Sequence, residues 1–322
     1  MKAMRIHKAG GPEEMKWEDV PEPAPGKGEV LIRHTAIGVN FLDTYQRSGL
    51  YPVQMPAIVG NEAAAVVEKV GEGVGDLKVG DRVAYGAGMG AYAEKRLFAA
   101  DRLVKIPDGI DDKTVASMML KGMTTQYLVR RTYVVKKGDT ILVHAAAGGV
   151  GLILVQWAKH LGATVIGTVG SADKAKIAKA HGCDHVILYR ETDFVAEVKK
   201  ITGGKGVPVV YDGVGKDTFM ASLDCLRPRG LMASFGNASG AVPPFSILTL
   251  SQKGSLYVTR PTLNTYIATR DELVATANDL FDTVRSGAVK IEVNQTYALK
   301  DAAQAHRDLE SRKTTGSTVL IP

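Results

Sequence analysis

One segment limits the fold of this chain more than any other. Gly138-Asp-Thr-Ile-Leu-Val-His-Ala-Ala-Ala-Gly-Gly-Val-Gly151 reads as an apolar strand, a turn of residues with little or no side chain, and a helix that starts near Val150. Alanine and glycine let backbone approach a bound group closely, and the free N–H groups and dipole of a helix start favour negative charge. Ala147, Gly148, Gly149 and Val150 are therefore the candidate phosphate contacts. A lone glycine turn can also be an ordinary strand-to-helix turn, so its surroundings decide the matter.

Those surroundings repeat the pattern. Apolar runs are expected as strands at 140–145, 163–169, 185–189, 207–212, 230–236 and 254–259, with helical spacers at 152–161, 173–181 and 193–201. Strands alternating with helices of that length call for right-handed crossovers and a parallel sheet covered on both faces. The expected fold class is α/β, a doubly wound dinucleotide-binding sheet of the Rossmann kind over residues 122–261. Residues 1–121 are instead rich in short β runs such as Glu29-Val-Leu-Ile-Arg-His34, broken by turns such as Pro23-Ala-Pro-Gly26, and are expected to form a second, mostly β domain. Residues 262–322, a long amphipathic helix at 271–286 and two short strands at 293–299 and 317–321, are expected to rejoin it.

The second strand bears on the choice of nicotinamide cofactor. An NAD site usually ends that strand in Asp or Glu, which holds the ribose hydroxyls. Here the stretch is Gly167-Thr-Val-Gly-Ser-Ala-Asp-Lys174. Its end is neutral, Ser171 can donate to a phosphate, and Lys174 brings charge, with Tyr189 and Arg190 closing the next strand on the same edge. NADP is expected over NAD. Asp173 fits a first-turn helix position better than a ribose ligand.

A formal charge of +6 would suit an anionic partner, yet the basic residues are scattered among acids, so nucleic acid is a secondary reading. Cys183 and Cys225 form no disulfide framework, and no apolar run of about 18 residues marks a membrane span. A cytoplasmic protein is expected.

The chain resembles the quinone oxidoreductases related to zeta-crystallin, within the medium-chain dehydrogenase/reductase superfamily. Gly38-Val-Asn-Phe-Leu-Asp-Thr-Tyr45, Arg47-Ser-Gly-Leu-Tyr51-Pro, Ala145-Ala-Ala-Gly-Gly-Val-Gly151 and Gly230-Leu-Met-Ala-Ser-Phe-Gly-Asn237 carry the resemblance across the whole chain. It implies a GroES-like catalytic domain built from both chain ends and a homodimer joined through the cofactor domains. It also implies NADPH contacts: Asn40 and Thr124 near the nicotinamide end, Gly149 and Val150 at the pyrophosphate, Ser171, Lys174 and Tyr189 around the 2′-phosphate, and Phe235, Arg260 and Arg312 further along.

The superfamily's alcohol dehydrogenases hold zinc with Cys and His where this chain has Asn40 and Gly60-Asn61-Glu62. No metal is expected, because zinc needs converging thiolate or imidazole ligands. Without a Lewis acid, reduction of an electron-poor conjugated acceptor such as a quinone suits the chain better than alcohol oxidation. Tyr45, Tyr51 and Asn40 are the candidate catalytic residues, the tyrosines as proton donors or simply packed rings, Asn40 as an orienting amide. Asp43 reads as a pocket residue or a helix cap, Arg47 as a pocket residue or a surface charge, and Glu62 as a pocket lining or half of an ion pair. Met89 and Tyr92 read as loop packing, and Arg227 and Arg229 as a solvated turn. Two other functions stay open: reduction of α,β-unsaturated ketones or aldehydes, and NADPH-sensitive RNA binding or a structural role.

Overall fold

Where the strand–helix alternation lies, the computed structural model, which describes residues 1–322, has a six-stranded sheet. Its order is His185–Leu188, Thr164–Val169, Thr140–Val143, Val207–Asp212, Leu226–Ser234 and Tyr257–Thr259, and every pairing is parallel. Every residue of Val207–Asp212 is buried, the consequence of a central strand with both faces covered. The chain runs outward in one direction from Thr140–Val143 and in the other from Val207–Asp212. A crevice opens at such a reversal, at the carboxyl ends of the strands.

This sheet belongs to a compact unit of Thr124–Tyr266 with Ser286–Lys290. Its elements depart from expectation at their ends. The first strand stops at Val143 because the chain swings into the left-handed region at Ala145 (φ 53°), and the helix starts at Gly149. The fifth strand starts early, at Leu226. Arg227, Pro228 and Arg229, expected as a solvated turn, are an exposed bulge inside it: pairing jumps from Val207–Leu226 to Val209–Leu231, with Arg229 at φ 59°. A bulge leaves its extra residues unpaired and so solvated, which is why the pattern read as a turn.

The other compact unit comprises Met1–Met123, Ile267–Arg285 and Ile291–Pro322. Its main sheet runs Val293–Ala298, Ser317–Ile321, Glu29–Val39, Glu62–Val70, Arg82–Tyr85 and Val104–Lys105, with Lys95–Ala99 also on Glu29–Val39. Ser317–Ile321 pairs antiparallel with Glu29–Val39, so both ends of the chain build this sheet. Ile32, Ile37, Val67, Val83, Tyr85 and Leu320 sit in its core. Burying an Ile or Leu side chain contributes roughly 1.5–3 kcal/mol, so this inner face dominates the unit's stability. The helix Arg270–Arg285 buries Leu273, Ala277, Leu280 and Phe281, a stripe at helical spacing, and Leu280 lies over Gly122, where an added Cβ would come within 2.5 Å of it.

Candidate active site

In the unit of Thr124–Tyr266, the turn between the first strand and the helix Gly149–His160 is built by subtraction. A Cβ on Gly151 would lie 2.2 Å from the carbonyl oxygen of Ala145, and one on Gly167 would lie 2.7 Å from Cβ of Ala146. Only glycine permits that packing of turn, helix and strand. Gly148 caps Gly149–His160 without a side-chain hydrogen bond, and no acid stands in the first turn. The leading amides are therefore left for an anion.

Below the loop lies a bonded polar layer. His144 Nδ1 meets Thr168 Oγ1 at 2.8 Å and Nε2 meets Ser222 Oγ at 2.8 Å, while Ser222 donates to Thr218 O at 2.7 Å. Since Ser222 spends its proton, His144 must donate from Nε2 and accept at Nδ1. Burial lowers its pKa and keeps it neutral. Asp212 accepts from the amides of Val214 (2.7 Å) and Gly215 (3.2 Å) and from Thr218 Oγ1, which ties the next loop to its strand.

At the end of the second strand, Ser171 caps Ala172–Ala180 and accepts from Lys174 N at 3.4 Å. Lys174 is half-buried on the same turn, whereas Asp173 is exposed and pairs with Lys176 at 3.2 Å. A Cβ on Gly170 would lie 3.3 Å from Tyr189 Oη and 3.5 Å from Arg190 Nε, so both groups crowd the neutral strand end. Ser171, Lys174, Tyr189 and Arg190 thus gather at one edge, and their chemistry suits a 2′-phosphate. Elsewhere in this unit, Thr124 is buried and bonded to Tyr127, the ring of Phe235 lies against Gly213, and Arg260 Nη1 donates to Ser234 O at 3.0 Å. Arg260 also lines a cavity of about 550 Å³ with Ser234, Asn237, Pro243, Phe245 and Thr259.

The other unit holds a denser cluster. Asn40 precedes the helix Phe41–Ser48, and Asp43 Oδ2 accepts the Asn40 amide at 2.9 Å, so Asp43 does cap the helix. Asp43 also accepts from Asn61 Nδ2 at 2.7 Å and from Tyr92 Oη at 3.0 Å. Burial raises its pKa to about 6 against those three donors. Asn40 Nδ2 donates to Glu62 Oε1 at 3.0 Å, the Leu120 amide donates to Glu62 Oε2 at 2.7 Å, and Lys121 forms an ion pair with Glu62. Glu62 is therefore half of a buried pair.

Two readings of the sequence need correction. Arg47 is not a surface charge: it is 2% exposed and bonds to His306 and Glu310. Tyr92 is not mere loop packing, since its hydroxyl bridges Asp43 and His306. Tyr45 is buried, with Tyr51 edge-on at 5.3 Å and Phe41 at 6.2 Å, an aromatic group that runs from the first residue of the helix to just past its end. Arg312, two residues past Glu310, is exposed and at φ 60° just after Ala302–Glu310.

The zinc-binding dehydrogenase family matches residues 149–280, and the alcohol dehydrogenase GroES-like domain matches residues 26–108. A quinone oxidoreductase of Pseudomonas aeruginosa is 54% identical over 315 residues, covering 97% of each chain. The chain belongs to the quinone oxidoreductases of the medium-chain dehydrogenase/reductase superfamily. A 2-haloacrylate reductase of a Burkholderia species is 51% identical over 98% of each chain. Among solved structures, an Escherichia coli quinone oxidoreductase complexed with NADPH superposes with a TM-score of 0.98 at 51% identity, over 100% of both chains.

No three His, Cys, Asp or Glu side chains gather here to hold a metal. Asn61 spends its amide nitrogen on Asp43 and on Gln46 (2.8 Å), and Asn40 spends its own on Glu62. Lys121 balances the charge of the buried Glu62 carboxylate.

Proposed function

We propose that this quinone oxidoreductase family member reduces quinones with NADPH, without a metal. The observation that carries the reading is the full-length match to a quinone oxidoreductase complexed with NADPH, because the residues of this chain fit that cofactor. The side-chain-free turn leaves room for a pyrophosphate, and the neutral strand end with Ser171, Lys174 and Tyr189 fits a 2′-phosphate. When bound, the nicotinamide supplies the hydride; with one proton it converts quinone to hydroquinone.

The chemistry of the glycine turn and of Lys174 supports the phosphate contacts, and the remaining contacts are those that the family resemblance implies. Ala147, Gly148, Gly149 and Val150 hold the pyrophosphate, and Ser171, Lys174 and Tyr189 the 2′-phosphate, with Thr124, Phe235 and Arg260 as further cofactor contacts of that unit. In the other unit Asn40 and Arg312 contact cofactor, while Tyr45 and Tyr51 offer ring faces and hydroxyls to a planar acceptor. The protein works as a homodimer through the cofactor domain: the strand Tyr257–Thr259 is paired on one side only, and its Tyr257 is 62% exposed. Its setting is the cytoplasm, in keeping with two free buried thiols.

The haloacrylate reductase relative supports a second reading, hydride addition to an activated alkene, which makes the same demands on the cofactor. Turnover on quinones beside enones, enals and 2-haloacrylates separates the two. Quinone rates at least about tenfold above the alkenes support the first reading, and turnover confined to alkenes overturns it.

A further inference from the structure

We propose that Arg47, His306 and Tyr92 are positioning residues that act in series on Asp43, and through it hold Asn61 and the first turn of the helix Phe41–Ser48. Its kinetic consequence rests on the quinone-reductase reading above.

The direction of every bond in the series follows from what each group can give. Arg47 has no lone pair to offer, so its Nη1 donates to His306 Nδ1 at 3.0 Å. His306 therefore carries its proton on Nε2 and donates to Tyr92 Oη at 2.9 Å. Tyr92 in turn donates to Asp43 Oδ2 at 3.0 Å. All four side chains are at least nine-tenths buried. Burial drives the pKa of His306 down to about 3, with Arg47 adding to the effect, so the imidazole stays neutral and the polarity of the series is fixed. Its outer end is anchored, with Arg47 on Glu310 at 2.6 and 3.2 Å and on Gly10 O at 3.1 Å.

A guanidinium at one end and a carboxylate at the other polarise the two neutral groups between them in the same sense. The series is not a proton path, because arginine gives up no proton at its head. Its work is to keep Asp43 an acceptor. Three donors converge on that carboxylate: the Asn40 amide, the Asn61 side chain and Tyr92. Once Asp43 takes a proton, one of them loses its acceptor and the Asn40–Asn61 region loosens. The charged and titratable groups facing it are Glu62, which opposes its ionisation, Lys121 paired to Glu62, Arg47, His306, and the tyrosines Tyr92 and Tyr85.

Y92F removes one hydroxyl and keeps the ring. In protein labelled with ¹³C at the aspartate carboxyls, the Asp43 titration of Y92F should move up by about half a pH unit or more, the size of one lost hydrogen bond. The acid limb of kcat/KM for 9,10-phenanthrenequinone should move with it, while the NADPH Kd stays within about twofold. R47K keeps the charge but not the fork, and should shift both readouts the same way. Y92F/R47K should shift them no further than Y92F alone, because the series is already cut. An Asp43 titration in Y92F that superposes on wild type, or additive shifts in the double variant, overturns the proposal; if Y92F does not fold, an unmoved titration in R47K does so. Should the wild type reduce no quinone, the function reading fails, and the carboxyl titration still decides the series.

Discussion

Asn40 and Glu62, both buried, meet through a hydrogen bond of 3.0 Å, and the charge on Glu62 is balanced by Lys121. Glu62 is fully buried and Lys121 nearly so. Breaking such a pair from one side leaves an uncompensated charge, which costs about 3–5 kcal/mol, whereas replacing both partners is often close to neutral. K121M should therefore lose stability on that scale in urea unfolding, and E62Q/K121M should recover most of it. Equal losses in the single and double variants would contradict the role given to the pair.

The phosphate loop tolerates no added methyl group at its tightest point. G151A would place Cβ 2.2 Å from a backbone oxygen, a clash that rotamer changes cannot relieve. The turn must move, so NADPH affinity should fall by about tenfold or more, about 1.4 kcal/mol, when followed by nicotinamide fluorescence. Unchanged affinity would show that the turn is not the pyrophosphate cradle.

Selection of NADPH over NADH should sit on one turn. K174A removes the half-buried cation beside Ser171 and should raise the NADPH KM by about tenfold while leaving NADH little changed, since only NADPH carries the extra phosphate. Parallel changes for both cofactors would move Lys174 out of that role.

The cofactor half of the chain was legible because its signals are local. An apolar strand, a turn of alanine and glycine and a helix appear within fourteen residues from Gly138 to Gly151, and the alternation repeats the message. Val207–Asp212 was placed to the residue because all six positions are apolar or buried in one central strand. The bulge at Arg227–Arg229 was missed because charged, unpaired residues inside a strand look the same as a turn. The other site cluster is assembled from afar: Tyr92 meets His306 across 214 positions and Arg47 meets Glu310 across 263. Nothing near Tyr92 or Arg47 in sequence announces those partners. Asp43 was readable as a cap from its place three residues after Asn40, but its bonds to Asn61 and Tyr92 were not.

Three buried histidines should make the fold acid-sensitive. His34 bonds to Ala93 O at 2.6 Å and to Tyr85 at 2.7 Å, and burial pushes its pKa and that of His306 from 6.5 to about 3, with His144 shifted in the same direction. Between about pH 6.5 and 3 the unfolded chain then binds more protons than the folded one, so stability falls as pH falls. Asp43, raised from 3.8 to about 6, works the other way between those values, one group against three. Tm should drop steadily from pH 7 to pH 5, and a Tm that rises over that range would contradict the neutral, bonded histidines.

Metal-free reduction of quinones by NADPH is tested by NADPH oxidation at 340 nm with 1,4-benzoquinone, after exhaustive chelator treatment and beside NADH. Turnover should be undiminished after chelation, with NADPH preferred by about tenfold or more. Turnover that disappears with the chelator and returns with zinc, or a preference for NADH, would contradict it.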